Sequence, residues 1–298
     1  MNQGNLSLMK SIFVSFAACL LAACAHSPQT QQAPVNGVDD AKLREVLASQ
    51  DDSLKARYSA RHPYETLQFF GIAPGMTVVE LLPGDGWYSK ILLPYLGENG
   101  KLIGVDYPST IWANFPFANE EFIAKRKQWP GEWTASAQQW NTAGAAVEAY
   151  ALDQAPQSLN GTVDMVLFIR ALHGMARVEA KGQFLTSSLA RTYQLLKPGG
   201  LVGVVQHEAR EDKSDTWADG NNGYLKRSYV KKVFEDAGFE FVGESEVNQN
   251  PKDQPTDEES VWRLPPSLSA SNADPKLAEH YKSIGESNRM TLLFRKPN

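Results

Sequence analysis

Glu80-Leu81-Leu82-Pro83-Gly84-Asp85-Gly86-Trp87-Tyr88 decides the fold. It follows an apolar run, Thr77 to Leu82, that reads as a strand buried on both faces, and it precedes a helical stretch from Trp87 to Leu96. A Pro-Gly-x-Gly break between strand and helix lets the backbone approach a ligand closely. The helix start adds free N–H groups and a positive dipole end. The next strand, Lys101 to Asp106, ends on an acid 20 residues after Gly86. A carboxylate at that place can accept both hydroxyls of a ribose. Together these features predict a nucleoside-cofactor cleft at the carboxyl ends of the strands. Two other readings fit the glycines: an ordinary tight turn, or a dinucleotide fingerprint, although Ser89 stands where that fingerprint wants its third glycine.

Outward from this turn the chain alternates between strands and helices. Helices are expected over Asp40–Ser49, from Pro63, over Asn119–Gln128, as one long element over Val178–Leu196, and over Ser228–Ala237. Further strands are expected at Ala146–Leu152, Val163–Ile169, Leu201–Gln206, Phe239–Val247 and Met290–Arg295. Lys197-Pro198-Gly199-Gly200 should stop the long helix. The pattern predicts an α/β fold: a Rossmann-like, seven-stranded, mostly parallel sheet with helices on both faces and an antiparallel last strand. Asn248 to Arg289 breaks the alternation with five prolines and reads as a long loop insertion in one domain.

The chain has 298 residues, 29 Lys+Arg against 34 Asp+Glu, and is 42% apolar, which excludes a disordered, collagenous or disulfide-scaffold protein. The mild acidity gives no pull toward nucleic acid. Its two cysteines, Cys19 and Cys24, lie at the N-terminus. Lys10 is the only charged side chain before Asp39, and the apolar run Ser11–Leu21 is too short to span a bilayer. This reads as a secretory signal over residues 1–23. Leu21-Ala22-Ala23-Cys24 resembles the bacterial lipobox, which implies cleavage before Cys24, lipidation of its thiol and a periplasmic, membrane-anchored location. Residues 24–39, rich in Gln, Pro and Ser, suit a flexible tether, leaving 40–298 as the folded domain.

From Arg57 to Pro297 the order of motifs resembles class I S-adenosylmethionine-dependent methyltransferases: Glu80 and the glycine turn, Asp106 after the second strand, Asp153 after the third, and Lys-Pro-Gly-Gly before the fifth. Pro83-Gly84-Asp85-Gly86-Trp87-Tyr88, with Arg61-His62-Pro63-Tyr64-Glu65-Thr66-Leu67 upstream and Phe294-Arg295-Lys296-Pro297 at the end, is similar to a bacterial group classed as predicted methyltransferases, many of them exported. The resemblance implies S-adenosylmethionine as cofactor and a small-molecule or envelope acceptor. It implies that Glu80 organises the turn and helps hold the methionine amino group. Pro83, Gly84 and Gly86 would pass the methionine and ribose, Asp106 would bind the ribose hydroxyls, Tyr107 would lie beside the adenine and Asp153 would face its amino group. Arg170 would line the methyl-transfer pocket. Leu82 replaces the usual first glycine and is expected to face the core.

Methyl transfer from a sulfonium is an in-line displacement that mainly needs donor and acceptor held in line. A base enters only where the acceptor loses a proton. His173 and His207, each after a strand end, are the candidates, set against a plain role as hydrogen-bonded loop residues. Neither has a metal partner at helical spacing. Arg57 or Arg61 either grips an anion or is surface charge. Of Trp87 and Tyr88, one is expected in the core and one in the cleft. Trp112, Trp129, Trp133 and Trp140 form either an aromatic wall or ordinary packing. Asp253, Asp257, Glu258 and Glu259 read as a solvated acidic loop. Two other functions compete: a non-catalytic binding or structural lipoprotein of this fold, and a nicotinamide-dependent oxidoreductase, which predicts a parallel last strand.

Overall fold

Each central strand splits its side chains between two cores, as the period of two requires. In the computed structural model, which describes residues 37–271 and 274–298, β1 is Thr77–Leu81, β2 Lys101–Asp106, β3 Ala146–Ala151, β4 Val163–Ile169, β5 Leu196–Ala209, β6 Leu225–Lys226, β7 Glu240–Ser245 and β8 Arg289–Arg295. Val79, Leu81, Ile103, Val105, Val166 and Phe168 enter one core. Val78, Leu102, Met165 and Leu167 enter the other. Helices Asp40–Ser49, Pro63–Phe70 and Ser89–Leu96 cover the second face, and Phe184–Leu195 and Arg227–Asp236 cover the first.

The strand order is β3-β2-β1-β4-β5-β8-β7, with β6 paired off this path to the end of β5. The pairs β1·β2, β1·β4, β2·β3 and β4·β5 are parallel, whereas β8 runs antiparallel to both β5 and β7. This is the expected Rossmann-like sheet, and its antiparallel last strand goes against the oxidoreductase reading. The order reverses between β1 and β4, the place where open α/β sheets hold ligands.

Three expected boundaries differ by five residues or more. The helix after β2 runs Glu120–Trp140, passing through Pro130. It continues because Trp133 and Ala137, one turn apart, are buried against β2, where a Cβ on Gly104 would lie 2.7 Å from the Trp133 ring. The expected helix Val178–Leu196 is broken into Glu179–Gly182 and Phe184–Leu195 at Gln183, which has φ +52°. Glu179 stabilises the new start by accepting from Leu185 N–H at 2.6 Å and from the Thr186 hydroxyl at 2.5 Å. Finally, β5 begins at Leu196 instead of Leu201. Lys197-Pro198-Gly199-Gly200 makes a bulge within it, since β4 pairs Val163 with Leu196 but Met165 with Leu201.

Of the four acids expected in a solvated loop, Asp257 and Glu258 are exposed, but Asp253 is buried and Glu259 half-buried within the segment 248–289. The segment carries a helix, Pro275–Ile284, and buries Val261 and Leu264. Asp253 is 4% exposed and accepts from Arg263 Nη2 at 2.6 Å, from the Tyr224 hydroxyl at 2.9 Å and from Asn288 N–H at 2.8 Å. Glu259 accepts from Tyr281 at 3.0 Å. A buried ion pair survives only when further hydrogen bonds satisfy it, and this one has them. The expected signal peptide, the expected lipidation site Cys24 and the expected tether up to residue 36 lie outside the described residues.

Candidate functional site

The turn after β1 is built on left-handed backbone. Leu82 has φ +53°, Gly84 +58° and Gly86 +74°. For leucine this conformation is strained, at a cost on the order of 1–3 kcal/mol. Leu82, half-buried, packs against the core as expected, and it also borders two adjoining cavities, as does Trp262 of the 248–289 segment. One, of about 270 Å³, also includes Gly84, Arg170, His207, Glu286 and Ser287. The other, of about 460 Å³, includes Tyr107, Trp112, Phe115, His173 and Arg177. The two glycines have different duties. A Cβ on Gly84 would meet nothing within 4 Å, whereas one on Gly86 would overlap the ring of Trp140. Gly84 is therefore open to a ligand, and Gly86 is a packing position. Pro83 is buried and its carbonyl accepts from Gly86 N–H at 3.0 Å, closing the turn.

Glu80 is 2% exposed and accepts from the Ser89 hydroxyl at 2.6 Å, tying strand to helix. Burial pushes its pKa up to about 8, against the opposing pull of Ser89 and Arg170. The folded value lies above the ordinary 4.5, so Glu80 binds its proton more tightly in the folded state. Its favourable contribution is complete below pH about 4.5 and is lost as pH rises through about 8. Glu80→Gln keeps an acceptor for Ser89 and removes this titration. We expect the wild type to lose roughly 1 kcal/mol more stability than the variant between pH 7 and 9 in urea unfolding. Equal slopes in the two proteins would contradict this.

Asp106 is 2% exposed, and its carboxylate is held by three hydrogen bonds and one ion pair. One oxygen accepts from Tyr107 N–H at 2.8 Å and pairs with Arg126 Nη2. The other accepts from Trp112 Nε1 at 3.2 Å and Arg126 Nε at 2.9 Å. Three hydrogen bonds and one ion pair thus occupy most of the roughly four lone-pair sites a carboxylate offers. Burial pushes its pKa up, and Arg126 is the main opposing influence. The guanidinium lies over the Trp112 ring at 4.7 Å. Tyr107 is buried and donates its hydroxyl to Ala171 O at 2.5 Å. Asp153 is exposed and binds Ser109 through its backbone N–H at 2.8 Å and its hydroxyl at 2.7 Å, so it borders neither cavity.

The structure brings Arg170, His173 and His207 together. The imidazole centroids are 5.5 Å apart. His173 Nδ1 is 3.3 Å from Gln206 Oε1, and Gln206 Nε2 donates to His207 O at 3.2 Å and Gly223 O at 2.9 Å. Those two carbonyls fix the amide, so its oxygen accepts from His173 Nδ1–H and leaves the Nε2 lone pair free. Burial lowers the His173 pKa to about 4. His207 lies well below its ordinary value through burial, then His173 and Arg170. His207 Nδ1 is 2.5 Å from the Ser287 hydroxyl. Both rings are thus neutral at neutral pH.

Of the tryptophans, only Trp112 and Trp262 line these cavities; Trp133 and Trp140 pack on glycines of β2 and of the turn. Tyr88 is core, as expected for one of the pair, but Trp87 packs against Tyr58 and Arg61 and borders neither cavity. Sequence reasoning missed Arg126, Gln206, Trp262, Glu286, Ser287 and Arg289. Most of their partners are distant in the chain, although Glu286 and Arg289 also pair with each other, and none sits in a motif.

No family model and no curated protein matches the chain. Solved structures with a similar chain path include a SAM-dependent methyltransferase from Aquifex aeolicus (17% identity, 87% of this chain and 98% of that one, TM-score 0.47). A geranyl diphosphate methyltransferase in complex with SAM is similar at 15% identity (89% and 98%, TM-score 0.47). The cyclase SpnF is similar at 14% identity (80% and 81%, TM-score 0.49). These likenesses concern chain path; what the cleft does rests on its own residues.

Proposed function

We propose that this protein transfers a methyl group from S-adenosylmethionine to a small molecule held in the paired cavities above β1 and β4. The observation that carries the reading is the position of the cleft. It lies at the reversal of strand order, over the open Gly84, between an acid-tipped β2 and the neutral histidines of β5 and the segment after β4. The donor set suits the cofactor at Gly84, at Asp106 and at the aromatic face of Tyr107 and Trp112. Ribose hydroxyls would reach Asp106 by displacing the Arg126 guanidinium, with its Nε hydrogen bond and its Nη2 ion pair. The cofactor, when bound, supplies a methyl group on a sulfonium. Glu80 fixes the turn through Ser89. Leu82, Trp262 and Phe115 give the neighbouring space an apolar wall. His173 Nε2 holds the proton acceptor's place. With a pKa near 4 it is a weak base, suited to an acceptor whose own proton is acidic.

A second reading is favoured by one observation: Asp106 is already engaged by Tyr107, Trp112 and Arg126, as it would be in a scaffold that no longer binds a nucleoside. Calorimetric titration with S-adenosylhomocysteine separates the two. Methyl transfer predicts saturable binding well below about 1 mM, equivalent to more than about 4 kcal/mol. No heat at millimolar ligand overturns it and leaves the scaffold reading standing.

A further inference from the structure

Glu286 is the one carboxylate among four arginines. Its oxygens accept from Arg57 Nε at 2.7 Å, from Arg61 Nε at 3.4 Å and from Arg289 Nη1 at 3.1 Å. The side chains of Arg61 and Arg289 are each 4% exposed and that of Glu286 is 8% exposed. The fourth, Arg170, has Nη1 4.0 Å from Glu286 and, among the described residues, makes no side-chain hydrogen bond. The other titratable groups facing it add no charge. Glu80 is held mostly protonated by burial, and His207 and His173 are neutral. Four positive charges meet one negative charge, an excess of three in a largely buried cluster. Uncompensated buried charge is costly, and proteins pair it.

The backbone at Arg170 sharpens the point. Its φ is +58°, held by an N–H bond to Val205 O at 2.6 Å. Strain of this kind in a non-glycine residue collects at ligand clamps. It sets the guanidinium against the 270 Å³ cavity, beside His207 and Ser287 and under Trp262 and Pro265. A guanidinium fork matches the oxygens of carboxylates and phosphates. A monoanion would leave two charges unbalanced, whereas a dianion leaves one.

We infer that the cavity beside Arg170 binds a small dianion, the phosphate monoester or dicarboxylate end of a small molecule, through the Arg170 guanidinium backed by Arg57, Arg61 and Arg289. This cavity is one of the pair that would hold the methyl acceptor, so on that reading the acceptor carries a dianionic end; the charge count itself holds without methyl transfer.

The test uses the full chain with inorganic phosphate and malonate as probes, against acetate at matched ionic strength, read by tryptophan fluorescence and thermal unfolding. Phosphate or malonate should bind saturably and raise the melting temperature where acetate does not. Arg170→Met should weaken dianion binding roughly 10- to 100-fold, with Arg170→Lys recovering part of the loss. Identical responses to dianions and acetate in the wild type overturn the proposal, even should the variants fail to fold. Competitive displacement of the dianion by S-adenosylhomocysteine also overturns it, because the arginines would then serve the amino-acid end of the cofactor. Additive binding of the two supports it.

Discussion

Glu286→Gln is expected to destabilise the protein by about 3–5 kcal/mol, the cost of leaving a buried charge unpaired. The substitution preserves volume, so packing is not the cause. It removes the one carboxylate that receives bonds from Arg57, Arg61 and Arg289, and it turns an amide N–H₂ toward those guanidiniums. Arg61 feels this most. Burial already lowers its pKa to about 10 with Glu286 opposing that shift. Urea unfolding at neutral pH measures the loss, and a change below about 1 kcal/mol would mean that solvent already satisfies the arginines.

The same carboxylate predicts an acid limb. Burial raises the Glu286 pKa, but Arg289, Arg61 and Arg57 outweigh it and hold the group below the ordinary 4.5. Its stabilisation is complete above pH about 4.5 and is lost as pH falls through the lowered folded value. The histidines act earlier and in the same direction. His173 titrates near 4 when folded against 6.5 when unfolded, so the unfolded chain takes up more protons between those values and stability falls with pH across them. In Glu286→Gln the histidine part of the limb remains and the glutamate part disappears.

How far the sequence could be read follows from how local each feature is. β2 and β4 were legible to the residue, because an apolar run bounded by turns needs no distant partner. The glycine turn was legible for the same reason. Its Leu82 was visible as a departure, yet its left-handed backbone and its place between two cavities depend on Trp262, 180 residues later. The break at Gln183 depends on the reach of the Glu179 side chain over six residues, which apolar spacing does not register. The candidates Arg170, His173 and His207 do converge. What the sequence could not give is who already holds whom. Glu286 reads as one acid in a polar stretch, and its partners Arg57 and Arg61 lie more than 220 residues away. Asp106 reads as an open ribose acceptor until Arg126, on the helix that follows β2, is seen to engage it.

That last contact makes the second large prediction. Arg126→Met should cost the ligand-free protein about 3 kcal/mol, since Asp106 is 2% exposed and would keep only its bonds from Tyr107 and Trp112. Methionine retains contact with the Trp112 and Trp129 rings, which Arg126 now covers at 4.7 and 5.3 Å, so the loss is chiefly electrostatic. In the wild type a ribose must displace the guanidinium; in the variant the two lone pairs already stand free. S-adenosylhomocysteine should therefore bind the variant more tightly, by roughly 10-fold or more if one charge-assisted bond need no longer be broken. Asp106→Asn in the same background should remove the gain. A variant that is less stable but binds no more tightly would show that Asp106 is a structural acid whose partner is Arg126 alone. A variant that is both less stable and tighter-binding would show Arg126 standing in for the cofactor's hydroxyls, holding a buried carboxylate satisfied until the nucleoside arrives.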